Sequence, residues 1–231
     1  MDNHTYILAT SKPWHNDLAK DCLHIDDKFI WAHDPDQLDS LLKSAGSIRY
    51  IFFLHWNWLV PINIWQRYEC VCFHMTDLPY GRGGSPLQNL IVDGCEKTKL
   101  TALKMVEEMD AGPVYTKVPL SLQGTAEEIY LRAGELSFSI IDWMIMNQPK
   151  PEDQQGAPVI FKRRGPEQSR LPQAGGLKKL YDHIRMLDAP TYPKAFLEYG
   201  DYVLEFSKAD IGNDKLTASV CIREKNDQEK T

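Results

Sequence analysis

His74 and Asp110 are the two residues of this sequence whose types and positions best fit acid–base chemistry. His74 ends the apolar run 70–74, which predicts a buried strand, and Asp110 comes just before Gly112 and Pro113, which predict a turn. An imidazole titrates near neutral pH, and a nearby carboxylate orients it and favours its charged form. Taken singly, each residue could be structural. Together they indicate a site for proton transfer or for holding an oxyanion.

The elements that must position this pair alternate between strand and helix patterns. Short apolar runs predict strands at 6–10, 29–32, 49–54, 70–74, 100–105 and 202–207. Apolar residues at helical spacing predict helices at 14–23, 36–44, 62–68, 86–91, 126–146 and 177–187. The alternation predicts an α/β fold with a Rossmann-like, mostly parallel sheet covered by helices on both faces. In such a sheet, ligands bind at the carboxyl ends of the strands.

The division of the chain follows from one polar, proline-rich segment. Residues 148–158, QPKPEDQQGAP, predict a linker or surface loop. We therefore expect a catalytic domain at 1–147 and a small C-terminal α+β extension at 159–231, whose charged last residues, 224–231, are expected to fray. The first strand is not followed by GxGxxG, so nothing supports a dinucleotide site.

Two longer motifs surround the histidine and the aspartate. The first is HMTDLPYGRGGSPLQNLI at 74–91, and the second is TALKMVEEMDAGPV at 101–114. They resemble the folate-dependent formyltransferase family, which includes methionyl-tRNA, glycinamide-ribonucleotide and sugar N-formyltransferases. The residues at matching offsets are His74, Leu78, Pro79, Arg82, Gly83, Pro86, Ile91, Thr101, Met105, Asp110, Gly112 and Pro113. The resemblance implies transfer of a formyl group from N10-formyltetrahydrofolate, as co-substrate, to an amine, with His74, Asp110 and Cys72 at the catalytic positions.

Cys72 is the departure from the family pattern. That family has an asparagine at this position, whose amide helps to hold the formyl oxygen, whereas a thiol is a weak donor. We expect main-chain amides and His74 to hold the oxyanion, or a nearby polar group such as Thr76 or Asn89 to substitute. Two alternatives stay open: a non-catalytic folate-binding homologue, and Cys72 as a covalent nucleophile, which direct attack by an amine makes unnecessary.

The resemblance also implies binding residues for both substrates. Residues 50–61 resemble the segment that lines the pterin pocket, which implies that the donor is bound by Trp56, Trp58, Leu59, Val60, Pro79 and Asp110. The alternative is that the two tryptophans belong to the core. Segments 161–170 and 181–196 resemble a region that approaches the acceptor in sugar enzymes. The implied acceptor contacts are Arg82, Gly83, Arg185 and Tyr192, although surface arginines are commonly just solvated.

The acceptor class is predicted from charge and from the compact C-terminal extension. Enzymes acting on initiator tRNA carry an additional barrel domain, but 25 residues follow Phe206, and the formal net charge is −6. We therefore expect a small-molecule acceptor and no nucleic-acid partner. The motif version resembles sugar N-formyltransferases of surface-glycan or nonulosonic acid synthesis, which implies a nucleotide-linked amino sugar. Hydroxyornithine, as in siderophore synthesis, is the alternative acceptor.

Composition sets the remaining expectations. The 231 residues are 43% hydrophobic and 25% charged, which fits a globular protein with a real core. No apolar run approaches the roughly 20 residues that span a bilayer, and the N-terminus lacks a signal-peptide pattern. The five cysteines have no CxxC spacing, so we expect free thiols, no metal site and a cytoplasmic location. A homodimer is compatible with the sequence.

Overall fold

A computed structural model describes residues 4–23 and 28–226. The strands are β1 (Thr5–Thr10), β2 (Lys28–Ala32), β3 (Ile48–Leu54), β4 (Cys70–His74), β5 (Tyr80–Gly83), β6 (Lys97–Lys104), β7 (Val114–Ser121), β8 (Val159–Phe161), β9 (Ala195–Tyr199), β10 (Tyr202–Ile211) and β11 (Leu216–Glu224). The helices are α1 (Trp14–Cys22), α2 (Pro35–Ser44), α3 (Ile62–Trp65), α4 (Pro86–Val92), α5 (Ala126–Asn147) and α6 (Gly176–Arg185), with a 3-10 helix at Pro166–Ser169.

A six-stranded sheet carries the site. Its strand order is β2-β1-β3-β4-β6-β7. Strand β1 is parallel to β2 and to β3, β3 is parallel to β4, and β6 is antiparallel to β4. The prediction of a mostly parallel sheet in an α/β fold is confirmed. The antiparallel step pairs His74 with Thr101, so the two sequence motifs lie on neighbouring strands.

The core explains why β1 and β3 read as continuous apolar runs. Residues Tyr50–Leu54 of β3 are all buried, as expected for a strand whose two faces are both covered. On one face, Ile7 and Ile51 pack in a single cluster with Leu38 of α2 and Ile64 of α3. Helix α2 is fixed at its start by Asp34, whose side chain accepts a hydrogen bond from the Gln37 amide.

Two compact units divide the chain, and each consists of several segments. One unit contains the described residues up to Gly83 together with Thr98–Leu120 and Leu131–Ile160. The other contains Gly84–Lys97, Ser121–Tyr130 and the described residues from Phe161 onward. In the second unit, β9, β10 and β11 form an antiparallel sheet against which α6 packs. The linear boundaries at 147, 158 and 159 stay a prediction.

Five strands have no counterpart in the sequence expectations. They are β5, β7, β8, β9 and β11, and β7 and β11 carry many polar side chains. The helix predicted at 62–68 ends at Trp65. Residue Glu152, in the predicted linker, forms two main-chain hydrogen bonds with Val114, so this segment is anchored to β7. Of the tail predicted to fray, residues 227–231 lie outside the described part.

The helices of the described chain include none with the length and apolar content needed to cross a membrane. Across residues 4–23 and 28–226, no three histidine, cysteine, aspartate or glutamate side chains gather as ligands for a metal ion.

Candidate active site

His74 lies at the end of β4 with only 8% of its surface exposed. Its Nε2 is 2.7 Å from the carbonyl oxygen of Gly81, and its Nδ1 is 3.6 Å from Oδ1 of Asp110. Because a carbonyl oxygen only accepts, the proton of the neutral ring belongs on Nε2. The Nδ1 side then faces the carboxylate at a distance longer than a hydrogen bond. This is the side of the ring from which a proton can be exchanged with a substrate.

Asp110 is held in a turn within the loop that connects β6 to β7. Its φ is 56°, a left-handed conformation that aspartate tolerates better than most residues. Its Oδ2 accepts a hydrogen bond of 2.9 Å from the amide of Gly83. A Cβ atom on Gly112 would lie 1.8 Å from the Lys104 carbonyl oxygen, so only glycine fits there. The turn therefore depends on the DAG sequence that first indicated it.

Gln154, which no sequence motif indicates, completes this arrangement. The Gln154 amide nitrogen donates to the carbonyl oxygens of Asp110, at 2.7 Å, and of Gly112, at 2.9 Å. Its oxygen accepts from Nε and Nη2 of Arg82, at 3.1 and 2.9 Å. Arg82 also pairs with the exposed Glu108 at 3.1 Å. No local signal marks Gln154, because it lies in a polar segment whose partners are distant in sequence.

A cavity of about 190 Å³ is lined by Asp110 of this pair, whereas His74 is not among its lining residues. It brings together five of the residues predicted from the sequence: Trp58, Leu59, Val60, Cys72 and Asp110. Its other lining residues are Trp65, Leu103, Lys104, Met105, Val106, Glu107, Met109 and Gly112. The lining is largely apolar, and it carries the carboxylate of Asp110 at one side. Such a space suits a flat ring system with a few polar edges.

Trp56 and Pro79 are not among the residues lining this cavity. Trp56 packs against the cluster under the sheet and makes an edge-to-face contact with Trp58, with ring centroids 5.0 Å apart. It supports one wall of the cavity from behind. Pro79 follows a cis peptide bond, and its carbonyl oxygen accepts a hydrogen bond from the Val159 amide. Both residues thus shape the loops around the site, and their contact with a donor stays a prediction.

Cys72 faces the cavity as an uncharged thiol. Burial raises the pKa of Cys72 well above its usual range, and the negative charge of Asp110 raises it further. Its Sγ lies 3.8 Å from the Leu103 carbonyl oxygen. Because the thiolate is the nucleophilic form, this environment disfavours covalent chemistry at Cys72.

The two polar residues expected to substitute for the missing amide have other partners. The Thr76 hydroxyl is fully buried and lies 3.4 Å from the Gly81 carbonyl oxygen. The Asn89 amide nitrogen donates to the carbonyl oxygens of Gly84 and Lys162. Neither lines the cavity beside Cys72.

Arg185 and Tyr192 belong to the other compact unit. The Arg185 guanidinium donates to the carbonyl oxygens of Leu122 and Gly124, at 2.6 and 2.8 Å, and pairs with Asp182 at 2.7 Å. Only 5% of the surface of Arg185 is exposed. Tyr192 stacks on the buried Tyr130, with ring centroids 5.0 Å apart. These contacts stabilise their own unit, and acceptor binding by either residue stays a prediction.

Comparisons with known proteins show which family the chain resembles. A methionyl-tRNA formyltransferase structure from Clostridium thermocellum is 42% identical, with a TM-score of 0.90, and the match covers 96% of this chain and 100% of that one. The chain belongs to the folate-dependent formyltransferase family. The family model described as the C-terminal domain of methionyl-tRNA formyltransferase matches residues 166–223 of this formyltransferase. That match falls within the predicted C-terminal extension.

Other matches have lower sequence identity or cover only part of the relative. The methionyl-tRNA formyltransferase of Bacillus mycoides (strain KBAB4) is 30% identical over 159 residues, which is 64% of this formyltransferase and 49% of the relative. The chain thus spans about half the length of the curated relatives it matches. The structure of a sugar N-formyltransferase from Shewanella sp. matches with a TM-score of 0.60 at 17% identity. The match covers 84% of this chain and 91% of that one. At that identity the match shows the fold alone.

Proposed function

We propose that this formyltransferase moves the formyl group of N10-formyltetrahydrofolate to the amine of an amino sugar rather than to a nucleic acid such as tRNA. The observation that carries the transfer chemistry is Asp110, which belongs both to the His74 pair and to the wall of the apolar cavity. A donor ring in that cavity and a proton acceptor at its edge are what amine formylation requires. Trp58, Leu59 and Val60 pack against the ring of the donor in this proposal.

In the proposed reaction, His74 and Asp110 have different roles. The acceptor nitrogen forms a bond to the formyl carbon, and the carbon then breaks its bond to N10 of the folate. His74, through Nδ1, takes the surplus proton of the attacking amine and returns a proton to the departing N10. Asp110 stabilises the imidazolium that exists between these two steps. Main-chain amides and His74 hold the oxyanion, since the Cys72 thiol is a weak donor.

The amino-sugar acceptor is supported by charge and by fold. A net charge of −6 is unfavourable for binding a polyanion, because neutralising phosphates requires a basic surface. The sugar N-formyltransferase of Shewanella sp. has the same fold. Methionyl-tRNA is the second candidate, favoured by the C-terminal-domain match at 166–223 and by the relative from Clostridium thermocellum. Hydroxyornithine is a further acceptor that the same assay tests.

The experiment supplies one donor and a panel of acceptors. The purified protein is incubated with N10-formyltetrahydrofolate and, separately, with nucleotide-linked amino sugars, methionyl-tRNA and hydroxyornithine. Mass spectrometry detects addition of one formyl group, and release of tetrahydrofolate is followed by absorbance. We expect formylation of an amino sugar that disappears in His74→Asn. Formylation of methionyl-tRNA alone would favour the second candidate, and folate binding without any transfer would favour a non-catalytic homologue.

A further inference from the structure

Gln154 uses all of its side-chain hydrogen-bonding capacity at the site. Its two N–H groups go to the Asp110 and Gly112 carbonyl oxygens, and its oxygen accepts twice from Arg82. A reversed amide would place N–H groups against the guanidinium and an oxygen against two carbonyl oxygens, so its partners fix its orientation. A side chain held at four points has little freedom to move.

The groups that Gln154 connects are those that set the position of the catalytic pair. Arg82 is next to Gly83, whose amide binds Oδ2 of Asp110, and Gly81 accepts from His74. Main-chain groups of β5 therefore form hydrogen bonds with both catalytic side chains. Gln154 links this strand, through Arg82, to the main chain of the Asp110 turn by hydrogen bonds. Its own segment is fixed in turn to β7 by the paired main-chain hydrogen bonds of Glu152 and Val114.

The separation of His74 and Asp110 depends on these hydrogen bonds, because the two side chains are not hydrogen-bonded to each other. Oδ1 of Asp110 lies 3.6 Å from Nδ1 of His74, beyond hydrogen-bond distance, so nothing in the pair alone fixes their separation. The electrostatic effect of the carboxylate on the ring depends on that separation. From this geometry we infer that Gln154 is a positioning residue, which sets the distance between Asp110 and His74 during formyl transfer. The inference rests on the proposed function for its kinetic consequence, but its structural part does not.

Two substitutions of Gln154 separate its contacts. Gln154→Ala removes both sets of bonds. Gln154→Glu keeps an acceptor for Arg82 but directs an oxygen at the carbonyl oxygens of Asp110 and Gly112, so it breaks only the contact with the turn. Gln155→Ala is the matched control, because the neighbouring Gln155 is exposed and bonds only to Asp153 among the partners seen for its side chain.

The test measures both kinetics and the state of His74. A displacement of about 1 Å costs about a hundredfold in rate, so we expect kcat to fall about ten- to a hundredfold in both Gln154 variants, with the KM for N10-formyltetrahydrofolate within about twofold. In NMR spectra of histidine-labelled protein, the His74 resonances should move in Gln154→Ala in the same direction as in Asp110→Asn. The Gln155→Ala protein should match the wild type in both measurements.

Each outcome bears on one proposal. Wild-type kcat and wild-type His74 resonances in both Gln154 variants, with native circular dichroism, would overturn the positioning role. A fall in kcat together with a lower melting temperature and unmoved His74 resonances would also overturn it. That pattern would indicate that Gln154 stabilises the fold without setting the position of His74. If the wild type transfers no formyl group to any acceptor, the proposed function fails, and the NMR comparison still decides the role of Gln154.

Discussion

Replacing Asp110 by asparagine is the most direct test of the catalytic pair. The substitution keeps the size of the side chain and an oxygen that can accept from the Gly83 amide, so the turn should persist. It removes a negative charge 3.6 Å from Nδ1 of His74. At that distance, and with an effective dielectric constant of about 20, the attraction between a carboxylate and an imidazolium is about 5 kcal/mol. That energy corresponds to between about three and four powers of ten in rate.

We expect the observed loss to be smaller than this limit but at least about a hundredfold in kcat, because part of the attraction already exists before the reaction. Release of tetrahydrofolate from N10-formyltetrahydrofolate is followed by absorbance, and folate binding is measured by calorimetry and should persist. Asp153→Asn, at an exposed carboxylate of the same unit, is the control and should keep the wild-type rate. A folded Asp110→Asn protein with a rate within tenfold of the wild type would refute the reasoning.

Four further predictions concern the site and the buried His15. His74→Asn should lower kcat at least about a hundredfold while folate binding persists, and a near-normal rate in the folded variant would contradict its role. Cys72→Asn should keep or raise the rate, and Cys72→Ala should change it little; a formyl-thioester adduct by mass spectrometry would contradict both. Trp58→Ala should weaken folate binding about tenfold by calorimetry, the equivalent of about 1.4 kcal/mol, whereas the surface change Trp143→Ala should not. Burial, with a smaller contribution from a neighbouring histidine, lowers the pKa of His15 from 6.5 to about 2, so the unfolded chain binds a proton that the folded one does not. Stability should therefore decrease as the pH falls below about 6.5, by about 1.4 kcal/mol per pH unit from this residue, and urea melts giving equal stability at pH 7 and 5 would contradict it.

Local sequence patterns predict the strands that contain uninterrupted apolar runs. Residues 50–54 of β3 and 70–73 of β4 are such runs, so their composition alone separates them from loops. Strand β11 could not be recognised in this way, because most of its side chains are exposed and its apolar residues are interspersed with polar ones. Strand β7 contains Pro119, which argues against a strand in a sequence reading, yet it neighbours only β6 in the sheet order, and an outer strand tolerates proline.

The candidate site likewise contains residues that a local sequence pattern indicates and residues that no local pattern indicates. His74 and Asp110 were selected because each carries a local signal, a strand end and a DAG turn, and the motifs around them match a family. Arg82 also lies in a motif, but its two hydrogen bonds with Gln154 could not be foreseen, since the two residues are far apart in the chain. Gln154 lies among prolines and polar residues, a composition that predicts a linker. Hydrogen bonds between distant segments leave no periodic trace in a sequence.

The division of the chain into two compact units has a consequence for how such a transferase diversifies. The cavity proposed for the donor, His74, Asp110 and Gln154 all lie in one unit, whereas Arg185 and Tyr192 lie in the other. Under the proposed function, the requirement to bind the same donor therefore constrains the first unit. Substitutions at Arg185 and Tyr192 leave every contact of the proposed donor site in place.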